Sequence, residues 1–246
     1  MRLGTALADQ GQWQPARACY EEALTLFTAD GEDRGPIYTC VELGAWEAEQ
    51  GNLAAAHTYW QRCAALAQTP HVPHLRAEAQ VRIGYYLIRF AQYDEAERLL
   101  ITTLPLLRDQ AHGVTFATAI NHLALLYTLR EAATIAEPLL QQALWLAHNL
   151  GTIRQCLAVL LTHGRFALFQ GQVEQAVQLL ALVAHHPAST QRQAEEARAL
   201  LAQRGDPGPV TTAPQAAVAA LLHEERARQA EAVLQHLYER YAPVGA

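Results

Sequence analysis

Apolar residues along this chain recur at helical spacing, and the pattern is interrupted at regular intervals. Tyr38, Val41, Leu43 and Ala45 share one side of a segment. After a break at Gly51, Leu53, Ala56, Trp60, Cys63 and Leu66 share one side of the next. The pattern predicts a helix, a short turn and a second helix. Glycine at the break can take the left-handed conformation that closes a helix.

The same unit returns every 40 residues. One register reads Gly4, Gly44, Gly84, Ala124 and Gly164. Others read Ala16, Ala56, Ala96, Ala136 and Ala176, then Tyr20, Trp60, Leu100, Leu140 and Leu180. A fourth reads Trp13, Leu53, Tyr93, Ala133 and Val173, and the turn register reads Gly11, Gly51, Ala91, Glu131 and Gly171. Several registers agreeing independently mark an internal repeat of about five helix hairpins. Glycine inside a helix costs about 1 kcal/mol against alanine, so the Gly44 register must serve packing. Facing small residues let paired helices approach closely, and the large residues of the Trp60 register are expected to fill the space between one repeat and the next. Trp13 and Trp60 fall on packing registers, whereas Trp46 and Trp145 lie off them and are expected to be partly exposed. Glu131 departs from the glycine expected at the turn.

Segments 28–36, 68–74, 108–113 and 185–190 are rich in Gly, Pro and polar residues and read as junctions. A weaker junction lies at Asn149 to Gly151. In repeat register Met1 falls a few residues into a first helix, so either the gene begins unusually or the domain was cut from a longer chain. The repeat array with a capping helix at 191–203 is expected to occupy residues 1–204, followed by a linker at 205–214. The remainder, 215–246, is expected to form one amphipathic helix from Gln215 to Tyr241. Val218, Leu222, Ala230, Val233, Leu237 and Tyr241 lie on one side of it. Such a helix could cap the array, lie in its groove or pair with a second copy.

Composition removes several classes of function. The formal net charge is −6 and no basic block is present, which argues against nucleic acid and against an anionic membrane surface. No apolar run approaches the roughly 18 residues of a bilayer span. All 18 basic residues are arginine, so neither a phosphate-loop lysine nor a Schiff base is available. Cys19, Cys40, Cys63 and Cys156 match no disulfide or zinc spacing and read as buried thiols of a reducing, cytoplasmic setting. His71 and His74 read as loop residues, and His185 and His186 as residues of a helix end. No catalytic or metal motif is present, and no cofactor or enzymatic activity is expected.

The residues Leu43, Gly44, Gly51, Leu53, Ala56, Trp60 and Cys63 together resemble the tetratricopeptide repeat over positions 1 to about 188. The 40-residue period, against about 34 in the usual repeat, is similar to the C-terminal regions of large bacterial signal-transduction ATPases and regulators. The resemblance implies an all-α, right-handed solenoid of about five hairpins plus a C-terminal helical extension. It implies a non-enzymatic module that binds a protein or peptide, as the scaffold or sensor part of a bacterial regulator. The alternative is a small-molecule sensor in which a ligand in the groove alters repeat packing. Inward positions implied by the family are Tyr38, Ala45 and Glu49, then Tyr85, Ile88 and Arg89, then Asn121, Leu125 and Thr128, then Arg165, Leu168 and Phe169. The polar and aromatic members are the candidate groove contacts, and Trp46 is the candidate contact outside the groove.

Overall fold

A computed structural model describes residues 2–10, 12–30, 34–66, 73–108, 113–202, 204, 208 and 213–241. Among them are thirteen α-helices, one 3-10 turn and no strand. Ten helices form five hairpins: α1 (Arg2–Asp9) with α2 (Trp13–Asp30), α3 (Arg34–Glu49) with α4 (Leu53–Leu66), and α5 (Pro73–Arg89) with α6 (Tyr93–Thr103). The last two are α7 (Gly113–Leu129) with α8 (Ala133–Leu150), and α9 (Ile153–Phe169) with α10 (Val173–His185). Each first helix ends, and each second helix begins, in one 40-residue register. The expected all-α helical repeat is what the chain builds. The hairpins fall into two units, Met1–His112 and Gly113–Ala246.

The turn between paired helices is the same in the second to fifth hairpins. Gly51, Ala91, Glu131 and Gly171 have φ of 81°, 57°, 59° and 74°. The next N–H returns to the carbonyl five residues back: Asn52 to Glu47, Gln92 to Leu87, Ala132 to Tyr127 and Gln172 to Ala167, at 2.8–2.9 Å. This is the Schellman closure. Glu131 is therefore a departure in side chain alone, because its backbone keeps the left-handed state that costs an L-residue roughly 1–2 kcal/mol. Gly11 lies outside the described residues.

The small–large pairing works inside each hairpin. A Cβ added at Gly84 would stand 2.7 Å from the Leu100 side chain, and one at Gly164 would stand 2.8 Å from Leu180. Gly44 meets Trp60 in the same way, and Gly4 meets Tyr20. The large residue thus seats on the glycine of its own hairpin, which corrects the expectation that it mainly fills the space between repeats. Trp60 does both, since its ring also stacks on Tyr86 of α5 at 6.3 Å and 16°. Ala16, Ala56, Ala96, Ala136 and Ala176 are all buried.

In the second unit α11 (Gln191–Leu201) packs on α10 and α9. It starts with a capping box, Thr190 and Gln193 each accepting the other's backbone N–H. The single C-terminal helix expected from Gln215 to Tyr241 is two helices, α12 (Pro214–Leu221) and α13 (Glu224–Tyr241). Gln141 of α8 causes the break to persist. Its Oε1 accepts the His223 N–H at 2.8 Å and its Nε2 donates to the Leu221 carbonyl at 3.3 Å. One amide thereby satisfies both chain ends of the interruption. α13 packs on α8 and α12 on α9 and α8. The buried stripe of α13 is Ala230, Leu234 and Leu237, whereas Val233 and Tyr241, expected in it, are half-buried. Most of the 205–214 linker lies outside the described residues.

Candidate functional site

The first helices carry the candidate groove residues, and the first unit engages most of its own. The Tyr38 hydroxyl donates to Glu78. Arg82 pairs with Glu42, and Arg89 pairs with Glu49. Each of these three pairs spans 40 residues, so α3 and α5 lie side by side in repeat register. Positions 38, 42 and 49 share one stripe of α3, and 78, 82 and 89 share the matching stripe of α5. The Arg34 and Arg82 guanidinium groups stand 5.6 and 6.0 Å from the Tyr38 ring centre. Tyr85 is half-buried with its ring against Tyr86 at 5.7 Å. Tyr38, Glu49 and Arg89 are therefore brought together as a cross-repeat ladder rather than left open.

The second unit arranges the same registers differently. Thr118 bonds Gln155 at 3.3 Å and the Asn121 amide donates to the Ala158 carbonyl at 3.4 Å, both linking α7 to α9. Asn121 and Thr128 are buried, and the Thr128 hydroxyl donates to Ala124 of its own helix at 2.7 Å. Arg165, expected to face a ligand, reaches instead to Glu196 of α11, with two guanidinium nitrogens at 3.0 and 2.7 Å from one carboxylate oxygen. Phe169 is 39% exposed. Leu129, one repeat earlier in the same register, is 36% exposed. Leu129 is not among the inward positions that the family resemblance implies, which include its neighbour Thr128, but the 40-residue step back from Phe169 reaches it.

Trp46 does not form an exposed contact, contrary to expectation. It is 7% exposed, roofed by the Arg17 guanidinium of α2 at 4.1 Å from its ring centre. Arg17 is itself tied to Glu21 at 2.8 Å and lies 3.6 Å from Glu47. Trp145 is 43% exposed, as its off-register position predicts. Trp13, expected in the core, is half-buried at the start of α2.

Among the described residues the cysteine thiols and one buried histidine have shifted titrations. Cys40, Cys63 and Cys156 are free and buried, and Cys19 is half-buried. Burial pushes the Cys63 thiol up to about 12 and raises those of Cys40 and Cys156, which keeps them protonated and weakly nucleophilic. His163 is 8% exposed and stands where other repeats have Leu43, Ile83 and Leu123. Burial, helped by His223, pushes its pKa down to about 4, so its imidazole is neutral near pH 7. The His186 ring accepts the Ala188 N–H at 3.1 Å beyond the end of α10, a turn-closing role. His71 and the His74 side chain lie outside the described residues. Among the described residues no group of three His, Cys, Asp or Glu side chains is placed to share a metal ion, and no helix is long and apolar enough to cross a membrane.

Comparison with known proteins agrees with this geometry at one end of the chain. A tetratricopeptide repeat family model matches residues 1–28, which comprise α1 and most of α2. No curated protein matches the chain. The chain therefore has tetratricopeptide-repeat character in that segment, and such repeats generally mediate protein–protein interaction.

Proposed function

We propose that the chain is a non-enzymatic interaction module that holds a protein or peptide segment against the α7–α9 face. Leu129 and Phe169 supply the apolar anchors. The observation that carries this reading is the exposure of both side chains in a register that the first unit fills with the Glu49–Arg89 ion pair. Exposed apolar side chains at equivalent places in adjacent repeats form the kind of patch that interaction surfaces use. The similarity of the 40-residue repeat to bacterial regulators supports placing the module as the scaffold or sensor part of such a protein.

The test is selection of displayed peptides on the full chain. Enriched peptides should carry apolar anchors and lose affinity at least tenfold for Phe169→Asp, whose thermal unfolding should barely change because the site is exposed. Enrichment of nothing, or peptides that bind Phe169→Asp as well as the parent, would overturn the reading.

A further inference from the structure

We propose that α8 carries a helix-docking face of which α13 is the resident occupant, and that this face also takes a separate amphipathic helix bearing a large apolar side chain where α13 has Ala227. The face is marked in the sequence of α8. Gln141, Gln142 and Trp145 lie against the α12–α13 pair, and Pro138, one turn earlier, is buried. These four positions carry no charge. In the same registers α2 has Glu21 and Glu22, α4 has Arg62 and α6 has Arg98. Loss of charged residues is what sets the centre of a docking surface apart from ordinary surface. α10, on which α11 packs, likewise has no acidic or arginine side chain in these registers.

α13 fills the face incompletely. Its buried stripe is Ala230, Leu234 and Leu237, and helical spacing continues that stripe back to Ala227. Ala227 offers a methyl group where there is room for much more. A cavity of about 400 Å³ lies between α8 and α13 here, with Gln142, Trp145 and Ala227 in its lining. Trp145 stays 43% exposed beside it. The Gln142 Oε1 is buried without a hydrogen-bond partner. Voids and unpaired buried polar atoms both cost stability, so the resident helix leaves room for a better one.

The hairpins beneath are closed by their own residues. The Gly171 turn and the Gly164–Leu180 contact belong to α9 and α10, and the Glu131 turn belongs to α7 and α8. α12 and α13 can therefore leave as a unit while the hairpins stay formed. The partner is defined by what α13 lacks. It keeps a small residue and two leucines in the places of Ala230, Leu234 and Leu237, and adds Phe or Leu in the place of Ala227. That side chain enters the cavity and lies against the Trp145 ring. Anchors repeated along one side of a helix are the usual way a helix is held in a groove. A tethered occupant has the advantage of intramolecular binding, so a free helix that merely equals α13 competes poorly. The added side chain is what lets the partner prevail.

The experiment titrates the full chain with two labelled peptides of residues 213–241, one unchanged and one carrying Ala227→Phe. Fluorescence anisotropy reads binding and amide hydrogen exchange reads displacement. The Ala227→Phe peptide should bind about tenfold more tightly than the unchanged one, as filling a cavity should give. At saturation the chain's own α12 and α13 should exchange faster while α9 and α10 stay protected. Trp145→Ala in the full chain should abolish the gain with little change in the melting curve, since the side chain is exposed. A full chain with Leu234→Asp and Leu237→Asp, which frees the face, should bind the unchanged peptide about tenfold more tightly than the parent does. Equal affinity of the two peptides overturns the proposal, as does a gain that survives Trp145→Ala, or unaltered exchange in α12 and α13 at saturation. Loss of protection in α9 and α10 of the double variant also overturns it, because the pair would then be part of the array. None of these readouts involves Leu129 or Phe169, so the reading of the α7–α9 face stands or falls separately.

Discussion

The register that closes each first helix carries opposite chemistry in the two units. In α3 and α5 it holds Glu49 and Arg89, which pair with each other as part of a ladder with Tyr38–Glu78 and Glu42–Arg82. In α7 and α9 it holds Leu129 and Phe169, both exposed. The backbone is the same in each case, down to the left-handed turn two residues later. A repeat scaffold separates two tasks in this way. Internal registers keep the hairpin closed, while the register at the helix end is free to be a self-satisfied seam in one place and an apolar surface in another. Exposed ion pairs contribute little stability, typically 0–1 kcal/mol each, so the ladder's main effect is to occupy the polar groups of that face.

The comparison assumes one scaffold in both units, and the largest expected effect tests that assumption. Gly84→Leu and Gly164→Leu should each destabilise by about 1–3 kcal/mol or more through overpacking against Leu100 and Leu180. Chemical denaturation should show similar losses. Tolerance of either would mean that the two hairpins are not held in the same way.

A second contrast lies at the register holding Leu3, Leu43, Ile83 and Leu123, apolar in four repeats and His163 in the fifth. Its folded pKa near 4 lies below the ordinary value of 6.5. Between these values the unfolded chain takes up a proton that the folded chain does not, so the stability contributed is present above pH 6.5 and is lost as pH falls towards 4. The loss should be on the order of 3 kcal/mol. Denaturation midpoints measured across this window should flatten markedly in His163→Leu, and an unchanged acid slope would refute the assignment.

Transplanting the seam tests the comparison directly. Leu129→Glu with Phe169→Arg recreates the residue types of the Glu49–Arg89 pair. Peptide affinity should fall at least tenfold, about 1.4 kcal/mol, while stability moves by less than about 1 kcal/mol. Retained affinity in a binding titration would show that the anchors lie elsewhere.

The smallest effect separates turns with glycine from those without. Ala91→Gly and Glu131→Gly relieve the positive φ but loosen the unfolded chain, so each should stabilise by about 0.5–1 kcal/mol. Gly51→Ala should do the reverse. Thermal unfolding of the three variants decides the sign.

Most of the scaffold was legible in the sequence because it repeats. Helix ends and turns depend on positions within one hairpin, and the repeated copies reinforce the signal, whereas the seating of each large residue on the glycine of its own hairpin emerged only from the structure. What was hidden depends on partners from other elements. Trp46 lies off the packing register of its own hairpin, yet Arg17 of the preceding one covers it. Arg165 resembles a groove residue until Glu196 of α11 is placed beside it. The interruption at Leu222–His223 is held by a glutamine about eighty residues earlier in the chain.

The left-handed turns carry a consequence for how the chain acquires its structure. At Gly51 and Gly171 the required φ has little steric cost, and the hairpin can close on local preference. At Ala91 and Glu131 the same closure must first overcome roughly 1–2 kcal/mol of local strain, which only packing against surrounding helices offsets. The third and fourth hairpins therefore depend more on their surroundings than the second and fifth do. An excised α3–α4 or α9–α10 segment should retain residual helicity in isolation that α5–α6 and α7–α8 lack, so a growing array would nucleate at its glycine turns and propagate through the strained ones.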